Sequence, residues 1–384
     1  MNDLRFYAPY QPLCSNSHVK PCASNSCKIK LRNTSEKVQT NVSLQHQNEN
    51  MTIILGYSTA VEYWRSCALI ASRRSWRERL GDSARRKSAT LSAHNCSDDP
   101  RAKEHAKRYL ASDSHAQLIL IGENPSHQIR GSNVHTHRSI PPRSFMAAPS
   151  QNDYEQVLVS VPEFCFLQMA SLLPIEKLIA FGFELCGSYA RSSQGTLFGT
   201  RPLTTPRKLA EFLSRATGFH GIKQAKRALR YILPRSASPM ETALTMQLCL
   251  PYLLGGYGLP KPKLNKRIDL PSNARKQAHS SFYVCDLYWE NEALAIEYDS
   301  DFAHAGINKT VQDALRRSIL TGVGISVLSV TWAQVLDADA LNKIAHIIAN
   351  NIGKRLRCND PSFPCRRQRL RSLVLPLRMD GEHR

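Results

Sequence analysis

Two carboxylates stand out for their surroundings. Asp286 lies in Tyr283-Val-Cys-Asp-Leu-Tyr-Trp289 and Glu297 in Ala293-Leu-Ala-Ile-Glu-Tyr-Asp299. Both runs are rich in the aromatic and branched residues that suit a pleated, half-buried surface. Two acids held side by side grip a small hard cation, and an ion shared between one or two carboxylates, waters and phosphate oxygens suits phosphate chemistry. Without the ion, one of two such neighbours tends to keep its proton near neutral pH. The competing reading places both acids on a wet sheet face, paired with Lys and Arg.

For the acids to meet, the chain must position them. Glu290-Asn-Glu292 breaks the two runs as a turn would, so they read as an antiparallel hairpin. Alternation puts Asp286 on a face with Val284 and Tyr288, and Glu297 with Ala295 and Asp299. A loop of two or four residues sets Asp286 opposite Glu297, whereas three would set it opposite Ile296; the even loop is expected. Directly opposed positions have Cβ atoms roughly 4.5–5.5 Å apart.

Downstream, Asn308 caps a helix with Val311, Leu315 and Ile319 at four-residue steps and Gly322 as its stop. Ile325 to Val330 reads as a covered strand, followed after Thr331-Trp332 by a helix through Leu341, Ile344, Ile348 and Ile352. Upstream, Ser238-Pro-Met-Glu241 is a capping box that opens a helix ending at Pro251. Gly255 to Asn265 reads as a rigid basic loop. Within Gly221 to Ile232, one helical face carries Ile222, Ala225, Leu229 and Ile232. Lys223, Lys226, Arg227 and Arg230 fall at i, i+3, i+4 and i+7 on another, with no acid among them. Such a stripe fits a phosphate backbone, giving affinity without sequence reading.

Asp286, Ala-Ile-Glu297-Tyr-Asp299, His304, Asp313-x-x-Arg316, Leu320, Gly322 and the Val-Leu-Ser-Val-Thr strand together resemble the PD-(D/E)XK nuclease superfamily. The nearest branch in appearance is that of very-short-patch repair endonucleases, and the likeness runs from near Ser236 to Arg357. It implies an α/β (α+β) chain with a C-terminal restriction-endonuclease-like core, a mixed sheet flanked by helices, after a mainly helical N-terminal region. Asp286 and Glu297 would hold Mg2+ or Mn2+, with Glu241 completing the set. Asp299 stands where the family carries Lys and would add a ligand or hold a water. His304 fits the position of a proton-moving His, and Lys309 would supply the positive charge of the missing Lys. A looser likeness links Val161-Pro-Glu163-Phe-Cys-Phe-Leu-Gln-Met-Ala and Leu178-Ile-Ala-Phe-Gly-Phe-Glu184-Leu-Cys-Gly187 to abortive-infection antitoxin-type proteins.

The chain has 384 residues, a net charge of +20 and eleven Cys. That charge favours an acidic polymer as partner, nucleic acid first and DNA as the expected form. The odd, scattered cysteines read as reduced thiols. No apolar run reaches transmembrane length and the start lacks a secretory pattern, so the expectation is a cytoplasmic protein without membrane contact; a homodimer stays open.

Residues 1–50 read as a disordered polar segment in which Cys14, His18, Cys22 and Cys27 match no familiar zinc spacing, and Met51 could be the initiator. Residues 51–150 read as an α/β region with a basic cluster around Trp76, in which His135 and His137 on a return strand could share a ligand. Residues 151–235 read as helical, with Ser192 to Thr204 a linker. Residues 236–357 form the nuclease-like domain. Residues 358–384 read as a flexible basic tail, in a stretch from Lys354 with nine Lys or Arg against three acids. The expected function is metal-dependent DNA cleavage. The alternative is a nuclease-fold DNA-binding regulator without turnover, and an RNA partner is a third reading.

Overall fold

The computed structural model describes residues 51–73, 116–121, 132–137, 140–148, 155–192, 195–299, 307–356 and 360–375. The expectations for residues 1–50, for the basic cluster around Trp76 and for His304 lie outside them. Among the described residues the chain is mixed α/β.

The amino-terminal half is less helical than expected. Strands β1 (Met51–Leu55), β2 (Ala116–Ile121), β3 (Ser132–His137), β4 (Phe145–Ala147) and β5 (Glu155–Ser160) form one sheet in the order β3-β2-β1-β5-β4. β3 runs parallel to β2, not back along it as a return strand would. Helix α1 (Tyr57–Arg73) leaves β1, and α2 (Pro162–Met169) begins with proline at its first position, where no amide is required. After α3 (Ile175–Cys186), the expected linker is a hairpin, β6 (Tyr189–Ser192) against β7 (Gly195–Phe198). α4 (Pro206–Arg215) starts at Thr205, whose side chain accepts from the Lys208 amide at 3.3 Å. α5 (Ile222–Leu229) buries Ala225 and Ala228 and leaves Lys223, Lys226 and Arg227 exposed, with Arg230 exposed at its cap.

The carboxyl-terminal half starts with α6 (Pro239–Cys249), buried on every side from Met240 to Leu248, its polar Glu241, Thr242, Thr245 and Gln247 included. It stops before Pro251, and a 3-10 turn, Tyr252–Leu254, follows. β8 (Lys263–Asp269) occupies the end of the expected basic loop and all that follows to Asp269. A short α7 (Ser272–Ala278) links it to β9 (Phe282–Trp289) and β10 (Leu294–Asp299). α8 (Ile307–Gly322) then crosses over to β11 (Ser326–Thr331), which lies parallel to β10, a pairing that requires such a crossover. The sheet order is β11-β10-β9-β8. Leu294, Ala295 and Ile296 are fully buried, as befits a central strand, while β8 guards the sheet edge with Lys263, Lys266 and Arg267. α9 (Trp332–Leu336) opens on a Thr331/Gln334 capping box, and α10 (Ala338–Asn351) buries Leu341, Ile344 and Ile348 as its period demands.

α8 departs from the sequence reading at both ends and on its face. It begins at Ile307, so Asn308 lies inside its first turn, and Gly324 (φ 87°), not Gly322, is the left-handed stop. The Ile325 amide reaches the Leu320 carbonyl and the Gly324 amide that of Thr321, the paired bonds of a Schellman end. Val311 is 61% and Leu315 44% exposed, so of the expected apolar stripe only Ile319 is buried. The packed face instead holds Asp313, Arg316, Ile319 and Leu320, polar where it meets the acids of the sheet.

The expected flexible tail contains α11 (Phe363–Val374), with Phe363, Leu370 and Val374 buried. Arg371 is buried as well and donates to Gln247 Oε1 of α6 at 2.8 Å and to the Val335 carbonyl at 3.0 Å. One continuous apolar core runs from Ile54 to Val374.

Candidate metal and phosphate site

The hairpin has the even loop. Trp289 pairs with Leu294, Tyr288 with Ala295 and Leu287 with Ile296, leaving four residues in the turn. Continued by one step, that register brings Asp286 across from Glu297. The β9–β10 ladder ends before that step, and Asp286 Oδ2 accepts from the Tyr298 amide at 2.8 Å.

Strict alternation breaks at the same point. The β8–β9 ladder includes Leu264 with Leu287 and resumes at Lys266 with Cys285, skipping Asn265 and Asp286. Asn265 has a left-handed φ of 45°, a conformation that Asn tolerates better than most residues. Cys285 and Tyr288, three apart, pack in one cluster with Ala295, Leu320 and Ile325, although a regular strand would send them to opposite faces. The expectation that Asp286 simply shares a face with Val284 and Tyr288 is therefore corrected: the sheet is distorted at Asp286.

Glu241 approaches from α6. Ser238 Oγ accepts from the Glu241 amide at 3.0 Å, which is half of the expected capping box. The other half is redirected: Glu241 Oε2 accepts from the Ala237 amide at 2.9 Å and from Asn265 Nδ2 at 2.6 Å. Burial first, and the Asp286 charge second, push Glu241 up to about 7. On the other flank, Arg316 Nη2 lies 3.1 Å from Glu297 Oε1 and 3.0 Å from Oε2, and also donates to the Val284 carbonyl. Arg316 Nε is buried without a partner. Burial and then Asp286 push Glu297 up to about 7, against the pull of Arg316 and with Asp313 adding to the rise. Asp286 is raised too, by burial, against the Tyr298 amide and Arg316. Cys285 beside Glu297 is driven up to about 12, chiefly by burial.

Asp286 is thus the middle of three acids, Glu241 buried and Asp286 and Glu297 half-buried, with little positive charge around them. Hard oxygen donors of this kind suit Mg2+ or Mn2+. Among the described residues no group of three or more His, Cys, Asp or Glu side chains converges closely enough to hold a metal ion. Asp299 ends β10 in register with Thr331. Lys309 falls in the first turn of α8, where only the backbone is described.

Asn265, Arg316 and the contact of Arg317 Nη2 with Ser329 Oγ at 2.9 Å are parts of this neighbourhood that sequence reasoning left out of the site. The three-residue spacing of Asp313 and Arg316 was the available signal for one of them. Nothing in a basic, glycine-rich stretch marked Asn265.

The basic stripe is displayed as expected. Lys223, Lys226, Arg227 and Arg230 are exposed, and Lys261 Nζ donates to the Arg230 carbonyl, tying the stripe to the segment that enters β8. No known family, curated protein or solved structure matches the chain. No helix among the described residues is long and apolar enough to cross a membrane.

Proposed function

We propose that this protein is a metal-dependent DNA endonuclease of the PD-(D/E)XK type. The observation that carries the reading is Asp286 between Glu297 and Glu241, one buried and two half-buried acids with too little positive charge around them. The mixed four-stranded sheet flanked by helices supports it. Asp286 and Glu297, with Glu241, would hold Mg2+ or Mn2+, which when bound stabilises charge on the scissile phosphate and lowers the pKa of an attacking water. The chain's own residues hold that arrangement in place. The Tyr298 amide orients Asp286, Asn265 orients Glu241 and Arg316 orients Glu297. Lys223, Lys226, Arg227 and Arg230 grip the backbone of the polymer. His304 is the candidate to move a proton, Asp299 would add a ligand or hold a water, and Lys309 would supply positive charge.

A second reading, a DNA-binding regulator without turnover, is favoured by one observation: a single Arg316 nitrogen lies within reach of both oxygens of Glu297. Purified protein incubated with plasmid and Mg2+ or Mn2+ separates the two. The nuclease reading expects nicking or linearisation that Asp286→Asn and Glu297→Gln reduce by about 10²-fold or more. Binding without cleavage in either metal supports the regulator, and cleavage that both substitutions leave intact sinks the assignment of these acids. Competition between duplex DNA and RNA decides the polymer.

A further inference from the structure

Arg235 lies between the basic stripe and the acids, and its backbone is fixed in an unusual conformation. Its φ is 71°, in the left-handed region that side chains other than Gly, Asn and Asp seldom enter. Such a conformation costs about 1–3 kcal/mol and persists only where its surroundings over-determine it. Here they do. The Arg235 amide donates to the Cys186 carbonyl at 3.1 Å, and the next carbonyl, that of Ser236, accepts from the Ser188 amide at 2.8 Å. The Arg235 carbonyl accepts from Asn265 Nδ2 at 2.8 Å, and the same Nδ2 donates to Glu241 Oε2 at 2.6 Å. The Arg235 main chain is therefore two hydrogen bonds from a carboxylate of the acid centre.

Its side chain is spent on none of this. The guanidinium is exposed and has no ion pair or hydrogen bond among the described residues. A structural arginine in this chain behaves differently: Arg65, Arg316, Arg366 and Arg371 each bond to a carboxylate, a side-chain amide or backbone carbonyls. An exposed, planar, permanently charged fork whose main chain is tied through Asn265 to Glu241 is suited to phosphate oxygens, which it can meet with two parallel bonds.

We propose that Arg235 contacts the phosphate of a nucleic acid at the acid centre, supplying positive charge there from the opposite side of the sequence to Lys309. Its contribution to cleavage rests on the nuclease reading above; its contact with phosphate does not. Asn265 is the positioning residue that links the two.

The test uses the full chain and a fluorescent duplex DNA without metal, with binding followed by anisotropy across a salt series, and plasmid cleavage measured separately in Mn2+. Each phosphate contact adds about 0.9 to the slope of log affinity against log salt on duplex DNA. Arg235→Ala is expected to lower that slope by about 0.9, and Arg235→Lys to keep it. Arg235→Gly relaxes the left-handed backbone, so it should melt no lower than the parent, yet lose the same slope. In cleavage, Arg235→Ala should be about 10²-fold slower or worse, with Arg235→Lys recovering part of the rate. An unchanged slope in both the Ala and Gly variants overturns the proposal, as does a parent that binds no duplex DNA. A lowered slope with no cleavage by the parent leaves the contact standing and removes the nuclease.

Discussion

Glu184, buried, and Glu297, half-buried, each lie beside one arginine, and they end in opposite electrostatic states. Glu184 meets Arg65 fork to fork, Nε to Oε1 at 2.8 Å and Nη2 to Oε2 at 2.9 Å, and takes a third bond from the Arg191 amide at 3.0 Å. Burial alone would raise it, but the Arg65 charge and those bonds carry it below the usual carboxylate range. Glu297 has one Arg316 nitrogen shared between its two oxygens and a backbone carbonyl, with Asp286 opposing it, and stands near 7. The first pair is closed and structural. The second is an acid still short of positive charge, which the proposed cation would supply.

Breaking the closed pair should cost most. Arg65→Met leaves Glu184 charged and buried, and is expected to destabilise the fold by about 3–5 kcal/mol in urea unfolding; a loss under 1 kcal/mol would show that the pair is not the closed one described. The pH responses should run in opposite directions. Glu184 has a depressed pKa, so its contribution is complete above the ordinary carboxylate range and is lost on acidification. Glu241 and Glu297 bind their protons more tightly folded than unfolded. Between the ordinary carboxylate range and about pH 7 the folded state therefore holds more protons, and stability falls as pH rises through that window. Urea midpoints in chelator from pH 5 to 8 should show that fall. Glu241→Gln with Glu297→Gln should flatten it, and Mg2+ or Mn2+ should offset it at the upper end. A slope unchanged by the double substitution contradicts the assignment.

Smaller effects sharpen the contrast further. Asn265→Ala removes two donated bonds and leaves alanine at φ 45°, an expected loss of about 1–3 kcal/mol. Asn265→Gly should recover the backbone share alone, and equal melting of the two variants would mean that strain contributes nothing. Arg316→Met should cost least, about 1 kcal/mol or less, because its half-buried partner is only partly ionised near pH 7. A cost matching that of Arg65→Met would make the two pairs alike after all.

Much of this arrangement was legible beforehand, where burial and period agree. The even hairpin loop followed from two runs that must keep Leu287 and Ile296 inside, and the faces of α5 and α10 followed from their apolar spacing. What escaped had a different driving force. β8 is an edge strand whose cations guard against further pairing, so it reads as a basic loop. α11 places Phe363 and Leu370 seven apart among arginines, and its buried Arg371 is satisfied by carbonyls distant in sequence. On α8 the first two turns of the apolar stripe face solvent, because the packed face there carries Asp313 and Arg316, and Arg316 meets Glu297.

The bond from Arg371 to Gln247 has a practical consequence for anyone shortening this chain. Glu241 and Gln247 belong to the same buried helix, so α11 braces the element that carries Glu241. A fragment ending near residue 357, where the family likeness stops, would bare Phe363's socket and the Gln247 amide together. The smallest fragment that keeps this helix braced therefore extends to Val374.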